Sequence, residues 1–289
     1  MAVVAAESAR PHHTLWGDAL IRLRRNRLAV AGGITILLIT LAAILVEFVS
    51  PYKFDQSSYD SILEGPSWSH PFGTAQLGQD VLTRLLYGAR TSLAVGIFTQ
   101  LIVLSIGIPI GALAAAAGGR VDNLVMRFVD IMYAFPDILL IILIMSILGR
   151  SIFMLFLAIG LVAWVNVARL VRGQILSLKQ RDFVTASRAM GASGWYITFR
   201  HLLPNSLGPI IVVVTFNVPR AIFAEAALSY IGIGANTPSW GTMIRDGNDV
   251  IFAAPHLVAF PAIAVGILML SFTFLGDGLR DALDPRLRR

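Results

Sequence analysis

The sequence of 289 residues contains no cysteine, which excludes disulfides and thiolate-ligated metal centres together. Lysine is almost as scarce: Lys53 and Lys179 are the only two, and they follow Tyr52 and Leu178. A phosphate-cradling G-x-x-x-x-G-K-[ST] loop sets its lysine directly after a glycine, so the chain cannot form one. It also lacks G-x-S-x-G and H-E-x-x-H, which argues against a membrane hydrolase. The histidines, His12, His13, His70, His201 and His256, are scattered without ligand spacing, so solvent or loop contacts are their default role. There is no fixed-period repeat, and no polar stretch is long enough to fold alone as a catalytic domain.

Charge is the next scarcity. Charged residues make up 14% of the chain and hydrophobic ones 56%, against about one quarter charged in an ordinary soluble domain. Residues 28–46, 91–119, 151–168 and 257–276 carry no Asp, Glu, Lys or Arg. At about 1.5 Å per residue, each run crosses a hydrocarbon core of about 30 Å as a helix. Two less clean spans complete a set of six: one from 124 to 149, containing Asp130 and Asp137, and one from 207 to about 228, containing Pro219, Arg220 and Glu225. The expected fold is therefore an all-α integral membrane protein with six transmembrane helices. The first run follows Arg22, Arg24, Arg25 and Arg27 as a secretory signal would, but it is too long and has no small-x-small cleavage site, so a retained anchor is expected.

Most arginines fall on one side of this topology, and only Lys53, Arg84, Arg90, Arg150 and Arg245 fall on the other. The positive-inside rule then places both termini in the cytoplasm. The same asymmetry, with anionic lipid headgroups, accounts for the net charge of +6, so no nucleic-acid partner is implied.

The expected order is a cytoplasmic tail with an interfacial helix (1–27), a first span (28–49), a long extracytoplasmic segment (50–89) and a second span (90–118). A third span (124–149), a fourth (151–171), a cytoplasmic loop (172–206), a fifth span (207–230), an outer loop (231–256), a sixth span (257–277) and a cytoplasmic tail (278–289) follow. Gly107 and Gly111 have GxxxG spacing, a close-packing signal. Pro109, Phe135-Pro136-Asp137 and Pro219 should bend their spans. Asp137, Arg220 and Glu225 are ionisable groups within spans, where they either pair structurally or face a pathway.

The loop 172–206 reads as two short helices. Asp182 is placed to cap the first, Phe183, Ala186 and Met190 share a face, and Gly191 takes the left-handed C-terminal position. The second runs from about Ser193 to Pro204. From the residues alone, this knob either rests on lipid or docks on another protein through the small residues Thr185, Ala186, Ser187 and Ala189.

The order Thr185-Ala186-Ser187, Gly191 and Leu203-Pro204 resembles the EAA loop of ABC importer permeases, with Thr185 and Ser187 standing where that motif has Glu and its second Ala. His70-Pro71-Phe72-Gly73-Thr74 with Leu77-Gly78-Gln79-Asp80-Val81, Ala227-Leu228-Ser229-Tyr230-Ile231-Gly232 with Pro238-Ser239-Trp240-Gly241, and Leu275-Gly276-Asp277-Gly278-Leu279-Arg280-Asp281 with Asp284-Pro285-Arg286 resemble one subfamily, the second permease subunit of dipeptide, oligopeptide and nickel importers. The resemblance implies the type I importer permease fold and a transport subunit rather than an enzyme. It makes 182–191 with Leu203 and Pro204 the coupling region, including Arg188. The implied partners are a second homologous permease, two ABC ATPase subunits or one of each of two types, and an extracytoplasmic solute-binding protein in a bacterial inner membrane. No cofactor is implied in this chain, ATP and Mg being held by the ATPases. Peptides are the implied solute, with nickel chelate, glutathione or haem as alternatives. An autonomous secondary transporter, the rival class, often shows inverted repeats, which are not found.

Overall fold

Backbone groups in hydrocarbon must be satisfied within their own segment, and each charge-free run accordingly forms a helix in the computed structural model, which describes residues 15–284. The expectations for residues 1–14 and 285–289, Pro285 and Arg286 among them, lie outside the described residues. In chain order the helices are α1 (Leu15–Arg25), α2 (Arg27–Val49), α3 (Val81–Ala117), α4 (Gly119–Ala134), α5 (Asp137–Leu148), α6 (Ile152–Leu178), α7 (Asp182–Ala189) and α8 (Gly194–Ile197). A π-helical turn (Thr198–Leu202), α9 (Leu203–Asn205), α10 (Leu207–Tyr230), α11 (Trp240–Asn248) and α12 (His256–Leu283) complete the described chain. Among the described residues, five helices are long and apolar enough to span a membrane, and the bent pair α4–α5 makes a sixth span if counted as one.

The element boundaries differ from the sequence expectation where charge is neutralised by distant partners. α3 begins at Val81, well before Arg90, because the Asp80 carboxylate caps it, accepting from the Thr83 N–H at 2.7 Å. Arg90 is tolerated in that helix because its guanidinium donates to Glu47 at 2.6 Å and to the carbonyls of Ala43 and Ile44 at 2.5 and 3.0 Å. α6 runs to Leu178, through Arg169 and Arg172, which pair with Asp130 at 2.6 Å and with both oxygens of Asp122 at 2.5 and 2.6 Å. The third span is two helices meeting at 88°. Pro136 offers no N–H and holds Phe135 extended, at φ −81° and ψ 138°. Pro109 and Pro219 lie inside unbroken α3 and α10.

The principal seam is α3 against α6, where small residues let the backbones approach. A Cβ on Gly107 would lie 2.9 Å from the Trp164 carbonyl oxygen, and one on Gly111 would overlap that of Ala168. α10 packs against both α3 and α12, and α2 lies on α12.

The segment 50–80 packs on the helix ends at its own side of the bundle. His70 Nδ1 lies 2.9 Å from Asp80, Phe72 stacks on Phe260 at 4.1 Å between centroids, and buried Trp240 donates its indole N–H to the Leu85 carbonyl at 2.8 Å. The H-P-F-G-T and P-S-W-G motifs thus fasten this segment and α11 to α3 and α12.

Candidate functional site

Two regions gather residues whose chemistry the packing does not consume. The first is α7 with its successors, between α6 and α10. Arg181 occupies the N-cap position and makes no side-chain cap bond, so Asp182 is the first helical residue rather than the cap; its charge sits near the positive helix end. At the other end Gly191 adopts φ +85°, its N–H donates to the Arg188 carbonyl at 2.9 Å, and the Ala192 N–H donates to the Ser187 carbonyl at 3.1 Å. This is a Schellman closure, which needs a left-handed residue at that position.

α7 is pinned from below by Val184, which is fully buried against Ile175, Ile197, Leu202 and Ile210. Ser187 is the other buried residue of the helix, its hydroxyl donating to the Phe183 carbonyl at 2.8 Å. The inward face is therefore Val184 and Ser187, and the face shared by Phe183, Ala186 and Met190 lies off it. Those three are exposed, Met190 to 82%, as are Thr185, Arg188 and Ala189. Further along the chain Trp195 and Phe199 stack at 5.8 Å with their planes 7° apart, and Tyr196 stands equally open. This aromatic ridge was not singled out in the sequence. Leu203 is half-buried and Pro204 exposed in α9. Lys179, just before α7, donates to the carbonyls of Ala115 and Ala116 at the end of α3; burial, reinforced by Arg188, holds its ammonium pKa below the ordinary lysine value.

The second region is a cavity of about 190 Å³ lined by Thr99 and Gln100 of α3, Asp137 and Ile138 of α5, Asn166 of α6, and Asn217 and Arg220 of α10, among others. Each of α3, α6 and α10 contributes from near its midpoint, and α5 contributes its first turn. Thr99, Gln100 and Asn217 are buried, yet the Thr99 hydroxyl, the Gln100 side-chain oxygen and the Asn217 side-chain nitrogen have no hydrogen-bond partner. Asp137 and Arg220 are exposed, and neither has an ion pair or hydrogen bond among the described residues.

Glu225 is not part of this cavity. It is fully buried nearer the C-terminal end of α10, where Ser92 and Ser229 donate their hydroxyls to it at 2.9 and 2.7 Å. The polar cavity residues other than Asp137 and Arg220 had no local signal beyond being uncharged polar groups in apolar runs, and only the packing of α3, α6 and α10 brings them together.

The model of the family described as binding-protein-dependent transport system inner membrane component matches residues 107–289, and that of the N-terminal TM domain of oligopeptide transport permease C matches residues 14–66. The chain is 42% identical over 278 residues to the oligopeptide transport system permease protein OppC of Bacillus subtilis (strain 168), covering 96% of this chain and 91% of that protein. It is 40% identical to the glutathione transport system permease protein GsiD of Pectobacterium atrosepticum, covering 95% of this chain and 92% of that one. In fold it is similar to a structure of the inward-facing MetNI methionine ABC transporter, with a TM-score of 0.60 at 22% identity over 70% of this chain and 97% of that one. A multi-pass helical chain, matched across more than half its length by that first family and across nearly all of it by close relatives, belongs to the binding-protein-dependent transport system inner membrane components.

Proposed function

We propose that this chain is one of the two permeases of an ATP-driven importer and supplies half of a transmembrane path for peptides handed over by an extracytoplasmic binding protein. Its partners are a second, homologous permease and two ATPase subunits, identical or of two types, which hold the ATP and Mg. Both termini and α7 face the cytoplasm of a bacterial inner membrane. α7 is the coupling helix: Asp182, Phe183, Thr185, Ala186, Arg188 and Met190 present its outer surface to an ATPase groove, while Ser187, Gly191, Leu203 and Pro204 set its position. The ATPases close on ATP, α7 moves with them, and the spans rock from inward-open to outward-open.

The observation that carries this reading is the division of α7: Val184 and Ser187 are locked into the core, Phe183, Thr185, Ala186, Arg188 and Met190 are exposed, and the Trp195–Phe199 stack that follows in the chain is half-exposed as well. A helix resting in headgroups needs no rigid attachment to the bundle, whereas one that transmits force does. Because the chain has no cysteine, Ala186→Cys places a single thiol in this subunit. A short bifunctional reagent should cross-link it to an ATPase subunit in the purified complex. If it forms no such cross-link and a spin label there reports burial among lipid headgroups, the coupling assignment fails.

Glutathione, a tripeptide, is the second reading for the solute, favoured by the 40% identity to a glutathione transport permease.

A further inference from the structure

The mid-height cavity carries an arrangement that the fold leaves unused. Polar groups in a hydrocarbon-embedded bundle are satisfied internally unless they line water or a ligand, because each unpaired one is costly there. Here three buried polar atoms, from Thr99, Gln100 and Asn217, lack partners around one cavity. A carboxylate and a guanidinium line the same cavity without being bonded to each other or to anything else among the described residues.

The set is chemically specific. Asn217 offers an unpaired N–H donor, and Gln100 an unpaired carbonyl acceptor, its own amide nitrogen donating to the Gly96 carbonyl at 3.4 Å. Thr99 can serve either way. One donor and one acceptor complement the C=O and N–H of an amide; one cation and one anion complement the ends of a zwitterion.

We propose that this cavity is a transit site for a short zwitterionic peptide, with Arg220 taking the carboxylate, Asp137 the ammonium group, and Asn217 and Gln100 the amide between them. The proposal rests on the reading of the chain as a peptide permease and assigns the substrate contacts to named residues of it. Arg220 lies near the middle of α10, and Asp137 lies at the 88° bend between α4 and α5; an interrupted helix is where many transporters hold their solutes. The competing role for Asp137 and Arg220 is pairing with side chains of the second permease.

The test uses the native complex, purified through this subunit and reconstituted in proteoliposomes with its binding protein, and dialanine as the probe. Ala224→Cys, on the cavity wall one turn beyond Arg220, supplies the only thiol of this subunit and leaves every assigned contact in place. A methanethiosulfonate bearing a sulfonate should label it faster than one bearing a trimethylammonium group, Arg220→Gln should remove that preference, and dialanine with ATP should slow labelling. In complexes without that thiol, Asp137→Asn and Arg220→Gln should each lower dialanine uptake about tenfold or more, with Arg220→Lys keeping part of it. Uptake unchanged in both charge variants, or a thiol that reacts with neither reagent at rest, with ATP bound or during turnover, overturns the proposal. Should a charge variant fail to assemble, protection of the Ala224→Cys thiol by dialanine in the otherwise native complex decides the matter. A native complex that imports no dialanine refutes the peptide reading instead, and the charge preference of the thiol then still tests the cavity.

Discussion

Replacing Gly191 separates backbone conformation from every other property of α7. The residue has φ +85°, and a Cβ added there meets nothing within 4 Å, so the penalty for a side chain is conformational rather than steric. A residue with a Cβ in the left-handed region costs roughly 1–2 kcal/mol, Asn less and a β-branched residue more. Relieving that strain by unwinding the turn gives up the Gly191–Arg188 and Ala192–Ser187 hydrogen bonds, each worth about 1 kcal/mol net. Either way Gly191→Val costs about 2 kcal/mol, too little to unfold a multi-helix bundle. It is, however, comparable to the roughly 1.5–3 kcal/mol from burying Val184, the main anchor of α7. Since about 1.4 kcal/mol is a factor of ten, the detached state of α7 becomes more than tenfold commoner. Measured as solute taken up per ATP hydrolysed by the reconstituted complex, coupling should fall in the order Gly, Asn, Ala, Val, with complex yield unchanged. Wild-type coupling in the Val variant, or equal losses in all three, would refute the reasoning.

Three further experiments probe the packing and the surface. Arg172→Ala strands the mostly buried Asp122 carboxylate; partial exposure of the arginine keeps the loss near 1–2 kcal/mol, seen as a lower unfolding midpoint in detergent, and adding Asp122→Ala should recover most of it. Gly111→Leu forces α3 away from the Ala168 carbonyl and Val171 and should destabilise by about 1–3 kcal/mol or more, whereas Gly173→Ala, with open space around it, should be neutral or gain up to about 1 kcal/mol in the same assay. Trp195→Ala with Phe199→Ala removes a half-exposed stack that the bundle does not depend on, so thermal stability should hold while retention of the ATPase subunits during purification falls.

The spans were legible because hydropathy is local: a run without charge announces a helix whatever it packs against. Gly191 was legible for a similar reason, since a glycine after a short amphipathic stretch marks a left-handed stop. What failed was anything decided by a partner far along the chain. Arg90 and Arg172 looked like the ends of spans, but Glu47 and Asp122 neutralise them and the helices continue. Which face of α7 is buried was not legible, because Phe183 and Met190 are its largest apolar residues and yet the neighbouring cluster takes the smaller Val184 and leaves the large ones outside. The cavity was half-legible: Asp137 and Arg220 drew attention as charges in spans, while Gln100 and Asn217 gain meaning only when α3 and α10 set them around the same space as those charges.

The two candidate regions are joined by an almost continuous helical path. After Ser193, whose hydroxyl accepts the Tyr196 N–H at 3.2 Å, the chain stays helical through α8, the π turn and α9. The Ser206 N–H bonds back to the carbonyls of Leu202 and Leu203 at 3.0 Å each, and the Ile210 N–H to that of Ser206 at 3.2 Å, so the hydrogen-bond ladder continues into α10. A flexible loop at this place would dissipate any movement of α7; a hydrogen-bonded path carries it onward. The ladder is weakest at Pro219, which has no N–H for the turn before it, and Pro219 lies between Asn217 and Arg220, the two α10 residues that supply a donor and a cation to the cavity. Under the proposed coupling role, a displacement of α7 is therefore concentrated where α10 meets the cavity. That would change the spacing of Arg220 from Asp137, which sits on a different helix, and so release a solute held between them without α7 approaching it.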